Sequence, residues 1–300
     1  MRNHYTVAGH GFIVDAESSV FTKMVQYQPF QDNRVDNTLF TVRVRESVSP
    51  VSYTENYRQD DEGQTIICGE TSDGNTVFEY QLDNKTEGWL VCSHDYKEGD
   101  VYCTGHRWLF VLNNALMMMY AVITSDKLTA LFHSSVVSLK GRAYMFLGKS
   151  GTGKSTHSQL WLKHIEGTEL VNDDNPVVRI IDGAARVYGS PWSGKTPCYR
   201  NVDYPVGGIV KLKQAPFNEI RRMKAIEGYV ALAMSISGMR WKKWMGDGIH
   251  ETENLLTATV PLWHLSCLPD QDAAEICSKA IINQETKQNK YETEEGTCTS

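Results

Sequence analysis

The 300-residue sequence holds no run approaching the roughly 18 consecutive apolar residues that a membrane-spanning helix needs. Its opening stretch, MRNHYTVAGHGFIVDAESSV, also lacks an apolar core of the length found in secretion signals. We therefore expect a cytoplasmic protein with no membrane partner. Missing too is any C-x-x-C spacing among its seven cysteines, Cys68, Cys92, Cys103, Cys198, Cys267, Cys277 and Cys298, which speaks against a structural zinc site. An odd number of cysteines without a secretion signal suggests free thiols. Nor is there a surplus of basic residues. The formal net charge of −6 argues against a surface devoted to nucleic-acid phosphates, while leaving room for a local basic pocket. No period of fixed length recurs, which argues against a solenoid or propeller.

What is present is the composition of an ordinary globular chain, with 41% apolar and 22% charged residues of both signs. The length suits two modest domains. Residues 1–104 read as a β-rich region of short strands, TLFTVRVRE, QTIICGE, NTVFEYQL and GWLVCSHDY, punctuated by turn residues such as Asp73-Gly74 and Asn84. HRWLFVLNNALMMMYAVI, over 106–123, is too densely apolar for a strand and lacks Gly and Pro, so it reads as a buried helix opening a second domain at 105–282. Its Met117 to Met119 run serves as adaptable core filler. Residues 283–300 are polar and nearly free of aliphatic side chains, as in a solvated tail.

Two strands, 130–139 and 143–147, joined by a turn at Lys140-Gly141, lead into GKSGTGKS at 148–155. Gly148, Gly153, Lys154 and Ser155 match G-x-x-x-x-G-K-[ST], and the required context is there, an apolar strand before and a helix over about 154–165 ended by Gly167. Such a loop must aim backbone N–H groups into one concavity, and glycine supplies the room and the unusual dihedrals. Ser150, Gly151 and Thr152 contribute N–H groups. The helix N-terminus and Lys154 add positive charge facing the phosphates of ATP, the Ser155 hydroxyl can ligate Mg, and Thr156 is a reserve hydroxyl.

Beyond the helix, a short strand at 169–172 delivers Asp173 and Asp174. In open parallel sheets ligands bind at the carboxyl ends of strands, so both carboxylates are expected beside the terminal phosphate, one able to hold the metal and the other to accept a proton from an attacking hydroxyl. PVVRIIDGAARVYGSPW then reads as a hairpin turning at Asp182-Gly183, an order unlike that of an ordinary GTPase. In YGSPWSGKTPCYRN, Lys195 and Arg200 either clamp phosphate or are solvated cations on a loop that tucks Trp192 onto the core. MRWKKWMGDGIH at 239–250 reads as an amphipathic helix rather than a stacking platform for nucleic acid.

FHSS at 132–135, GKSGTGKST, LVNDD at 170–174 and VPLWHLSCLPD at 260–270 together resemble the C-terminal domain of HPr kinase/phosphorylase and its serine-kinase-like relatives, within the phosphoenolpyruvate carboxykinase-like fold. The resemblance spans roughly 106–280. It implies an α/β nucleotide-binding domain with a P-loop and mixed sheet, an ATP- and Mg-dependent kinase in which Asp173 is the base and Asp174 the metal partner, and an active-site role for His133. The N-terminal half and the region after the hairpin depart from the bifunctional enzyme. The expected acceptor is thus a hydroxyl on a protein, peptide or small molecule, with oligomeric state left open. A nucleotide sensor that transfers no phosphoryl group is the alternative.

Overall fold

The computed structural model describes residues 1–32, 37–45, 50–61, 63–194 and 196–282. Lys195, Cys298 and the tail expected at 283–300 lie outside the described residues. The chain divides into two compact units that meet between Lys127 and Leu128. No described helix is long and apolar enough to cross a membrane, and the six described cysteines are free thiols.

The first unit is a mixed eight-stranded sheet of β1 (Arg2–Val7), β2 (His10–Asp15), β3 (Thr38–Arg45), β4 (Thr54–Asp61), β5 (Gln64–Glu70), β6 (Thr76–Leu82), β7 (Lys85–Cys92) and β8 (Glu98–Cys103), in the order β1-β2-β3-β8-β7-β6-β5-β4. A one-turn helix, α1 (Ser18–Phe21), follows β2. The β6–β7 hairpin turns at Asp83 and Asn84, both at positive φ, a conformation that short polar side chains tolerate. Helix α2 (Trp108–Thr124) buries Val111, Leu112, Ala115, Leu116 and Met119 and packs on β3, β6, β7 and β8. The boundary therefore falls after this helix and not at 104/105 as the sequence suggests. Periodicity shows that a helix has an apolar face, but not which sheet that face covers.

The second unit begins with β9 (Thr129–Phe132), β10 (Ser134–Leu139) and β11 (Arg142–Leu147), continues through α3 (Lys154–His164), β12 (Glu169–Asp174), β13 (Val177–Ile181) and β14 (Ala184–Tyr188), and reaches the long β15 (Asp203–Gln214). β16 (Glu219–Arg222), α4 (Ala225–Ala233), β17 (Ile236–Ser237), α5 (Lys243–Thr259), β18 (Leu262–Cys267) and a helix over 271–282 follow. Its ten-stranded mixed sheet runs β12-β10-β11-β15-β14-β13-β9-β17, with β18 on β15 and β16 on β18. The strand read as 130–139 is two strands. At His133 the chain leaves a ladder with β13 and β17 and enters one with β11 and β12.

The sheet folds over itself around that corner. Val136, Met145 and Leu147 on one face pack with Phe132, Val178 and Val187 of the other half. The opposite face, with Val137, Tyr144, Phe146 and Val210, is covered by Trp161 of α3 and by Ala274, Cys277 and Ile281 of the last helix. Lys140-Gly141 and Asp182-Gly183 form the expected hairpin turns, each with two positive φ values. The amphipathic helix expected at 239–250 begins only at Lys243, because Arg240 is turned inward to pair with the fully buried Glu253 of α5.

Candidate functional site

β11 and β12 both run antiparallel to β10, while β15 runs parallel to β11 and β18 parallel to β15. Four strands therefore end at one edge of the sheet. A single cross-strand row along that edge joins Asp174, Ser134, Leu147, Lys211 and His264. At about 4.8 Å per strand, Asp174 lies roughly 10 Å to one side of Leu147 and Lys211 roughly 5 Å to the other. The glycine loop leaves the sheet directly after Leu147, between the two.

The loop spans 148–153 and ends at Gly153, the N-cap of α3, whose φ of 105° is closed to residues with a Cβ at low cost. Glycine offers no side-chain oxygen to the first turn of α3, and that turn contains no acid. Its N–H groups and dipole are therefore directed at the space above the loop. Lys154 Nζ donates to the carbonyls of Gly148 at 3.0 Å and Lys149 at 3.4 Å, which folds the ammonium back along the loop. Gln214, at the end of β15, donates to Gly151 O at 3.1 Å and Thr152 O at 3.4 Å. Ser155 is half-buried and Thr156 exposed.

A bulge on β12 sets the acidic pair. Val171 has no partner on β10, so both it and Asn172 face the inner core, after which the ladder resumes with Asp173 opposite Ser135 and Asp174 opposite Ser134. As consecutive strand residues the two carboxylates point to opposite faces, and the bulge decides which face each one takes. Asp173, only 5% exposed, turns toward α3, where Oδ1 accepts from Ser135 Oγ at 2.7 Å and Ser135 Oγ meets Ser158 Oγ at 2.6 Å. Its Oδ2 is buried without a hydrogen-bond partner among the described residues. Asp174, 34% exposed, lies with Oδ1 3.4 Å from His133 Nδ1. The His133 N–H donates to Ser235 O at 2.7 Å, fixing the corner between β9 and β10.

The segment after β14 braces this pair. Ser190 Oγ donates to Asn175 O at 2.6 Å and accepts from Asn172 Nδ2 and from the Trp192 N–H, both at 3.1 Å. A Cβ on Gly194 would stand 2.9 Å from Asp173 O and 3.0 Å from Asp174 Cβ, so only glycine allows this approach. Trp192 is buried. Arg200 is spent on structure, donating to Leu170 O and Glu169 Oε2, each at 2.7 Å. It therefore holds the edge strand β12 and is no free phosphate clamp. The other suggested clamp, Lys195, lies outside the described residues.

Inside α3, His157 Nε2 accepts from Trp161 Nε1 at 3.1 Å, and its ring meets Phe146 edge-on at 4.7 Å. Burial lowers its pKa to about 4. The loop is itself one wall of a cleft of about 530 Å³, in which Gly148, Ser150, Gly151 and Thr152 stand together with Lys211, Lys213, His264 and Met234. Burial, followed by the nearby Arg221, Lys211 and Lys213, holds the His264 imidazole below its ordinary pKa. Sequence reading assigned no role to Lys211, Lys213, His264, Ser135 or Ser158, although Ser135 and His264 lie within the FHSS and VPLWHLSCLPD segments and Lys211 and Lys213 alternate on one strand.

No group of three or more His, Cys, Asp or Glu side chains among the described residues is arranged to hold a metal by itself. The sequence matches no family model and no curated protein. Among solved structures, the fold is similar to the Hpr(Ser) kinase/phosphatase from Coxiella burnetii with a TM-score of 0.36 and 12% identity, over 57% of this chain and 99% of that one. A likeness of that size leaves any assignment to rest on the chemistry of the site.

Proposed function

We propose that this protein is an ATP- and Mg-dependent phosphotransferase, similar in kind to HPr kinase, that phosphorylates a hydroxyl. The observation that carries this reading is the shared edge at which a P-loop-like turn, the uncapped start of α3 with Lys154, and two adjacent aspartates come together. Backbone N–H groups of 150–153 and the α3 terminus suit a polyphosphate. Lys154 exchanges its contacts with the loop carbonyls for phosphate oxygens, and Ser155 stands in the first turn beside it.

The residues fit magnesium in the way that ion is commonly held, by one or two carboxylates together with substrate phosphates. Asp173 supports this, because a buried carboxylate oxygen without a partner is costly unless a cation meets it. When bound, the metal would neutralise charge on the phosphates. Burial favours a division of labour opposite to the one that the family resemblance implies. In this reading Asp173, with Ser155, serves the metal, and the more exposed Asp174 accepts the acceptor's proton, with His133 positioning it. The acceptor oxygen bonds to the γ-phosphorus, the bond from that phosphorus to the bridging oxygen breaks, ADP leaves and the proton passes to the carboxylate.

The test is ATP binding with and without magnesium in wild type and Lys154→Ala, followed by transfer of γ-phosphate to a panel of hydroxyl acceptors. Loss of binding in Lys154→Ala and appearance of labelled product are expected. Asp174→Asn should cut turnover by at least about a hundredfold at unchanged magnesium requirement, and Asp173→Asn should raise that requirement. The reverse pattern restores Asp173 as the base. Tight binding with no transfer to any acceptor would make the protein a nucleotide sensor, and absence of binding would end the proposal.

A further inference from the structure

The cleft that the glycine loop shares with β15 and β18 carries charge that phosphoryl transfer at the acidic pair does not use. Lys211 and Lys213 alternate on β15 and so share a face, and in-register pairing sets His264 of β18 beside Lys211. Arg221 of β16 pairs in turn with His264, but its guanidinium is already bound by both carboxylate oxygens of Glu227, at 2.9 and 3.0 Å. Neither lysine has such a partner. Among the described residues no carboxylate forms an ion pair with Lys211 or Lys213, and the cleft lining contains no Asp or Glu. In a chain with a net charge of −6, this is a local concentration of unneutralised positive charge.

Its position is equally specific. The two lysines and His264 lie at the carboxyl ends of strands parallel to β11, where ligands of open α/β sheets bind. They stand on the far side of Leu147 from Asp174, so the row reads acid, loop, base across the edge. Lys211 is half-buried and Lys213 exposed, with Leu212, Ala231 and Met234 completing the lining. Two ammonium groups and one imidazole around a recess of about 530 Å³ suit an oxygen-rich dianion better than a neutral group.

We propose that Lys211, Lys213 and His264, on the wall of the glycine-loop cleft away from the acidic pair, form a second anion subsite that takes a phosphate group. The phosphate belongs either to the inner part of the nucleotide chain or to a second ligand bound at the same time. The subsite shares its cleft with the glycine loop but draws its charge from β15 and β18, and so does not need Lys154 or the kinase reading.

The experiment is a titration of the full chain with inorganic phosphate, followed on the ring signals of His264 by NMR, first alone and then with a saturating non-hydrolysable ATP analogue and magnesium. A saturable response of His264 in the free protein is expected, weakened about tenfold or more in Lys211→Met/Lys213→Met and retained in Lys154→Ala. Lys213→Gln, at an exposed position, provides a smaller change should the double variant fold poorly. If the analogue abolishes the phosphate response, the subsite serves the nucleotide; if the response persists, it serves a separate phosphate-bearing ligand. No saturable response in wild type, or an equal response in both lysine variants, overturns the proposal. Failure of ATP binding with a normal phosphate response would remove the kinase reading and leave the subsite standing.

Discussion

The imidazole of His157 is a direct handle on how firmly α3, and with it Lys154 and Ser155, is held. It is 2% exposed, accepts from Trp161 and is neutral in the folded protein, with burial lowering its pKa from the ordinary 6.5 to about 4. Because Nε2 is the acceptor, Nδ1 carries the proton in this arrangement. Between about pH 4 and 6.5 the unfolded chain binds a proton that the folded one refuses, so stability is fully present above 6.5 and is lost as pH falls toward about 4. At 1.36 kcal/mol per pH unit the whole window amounts to about 3 kcal/mol, and a drop from about pH 7 to about pH 4.5 captures about 2 kcal/mol of it. That is a large share of the roughly 5–15 kcal/mol that holds a domain together. Urea unfolding at several pH values, compared with His157→Gln, isolates the effect, since a neutral amide still accepts from Trp161 and all other groups titrate alike in both proteins. The variant should lose about 2 kcal/mol less than wild type across the window. Parallel pH dependences, or ring signals of His157 that titrate near the ordinary value, would refute the reasoning.

Arg200→Ala should leave ATP affinity within about twofold of wild type while lowering stability by about 1 kcal/mol, as expected for a hydrogen bond to the backbone of β12. Calorimetric titration and thermal melts check this, and a tenfold loss of affinity would return the residue to the phosphates. Gly153→Ala should cost about 1–2 kcal/mol from the positive φ alone and weaken nucleotide binding, since relief of that strain rotates the first turn of α3. Equal stability of variant and wild type in a denaturant titration would contradict it.

What was legible in the sequence was local chemistry. The strand, glycine loop and helix around Lys154, the hairpins at Lys140-Gly141 and Asp182-Gly183, and a strand ending in Asp173-Asp174 each announce themselves within a few residues. The break at His133 does not, because apolar residues continue on both sides and a change of ladder partner leaves no mark on composition. Which face each aspartate takes cannot be counted along the strand from Leu170, because the unpaired Val171 breaks the alternation, and the Ser135, Ser158 and Asp173 cluster draws on three separate elements. Arg200 looked free because its partners, Leu170 and Glu169, lie some 30 residues earlier. The meeting of Lys211 with His264 likewise follows from strand register over 50 residues apart.

The unpaired Val171 also bears on how this chain tolerates changes in length. Because β12 holds one residue more than β10 can match, deleting Val171 would leave Glu169, Leu170, Asn172, Asp173 and Asp174 opposite the same partners as before, in an unbroken ladder. The cost would be that of one buried valine side chain, about 1.5–3 kcal/mol. An insertion between Asp173 and Asp174 has no such slack to draw on, and would turn both carboxylates to one face. Lineages that shorten this strand should therefore do so just ahead of Asn172 and leave the aspartates adjacent.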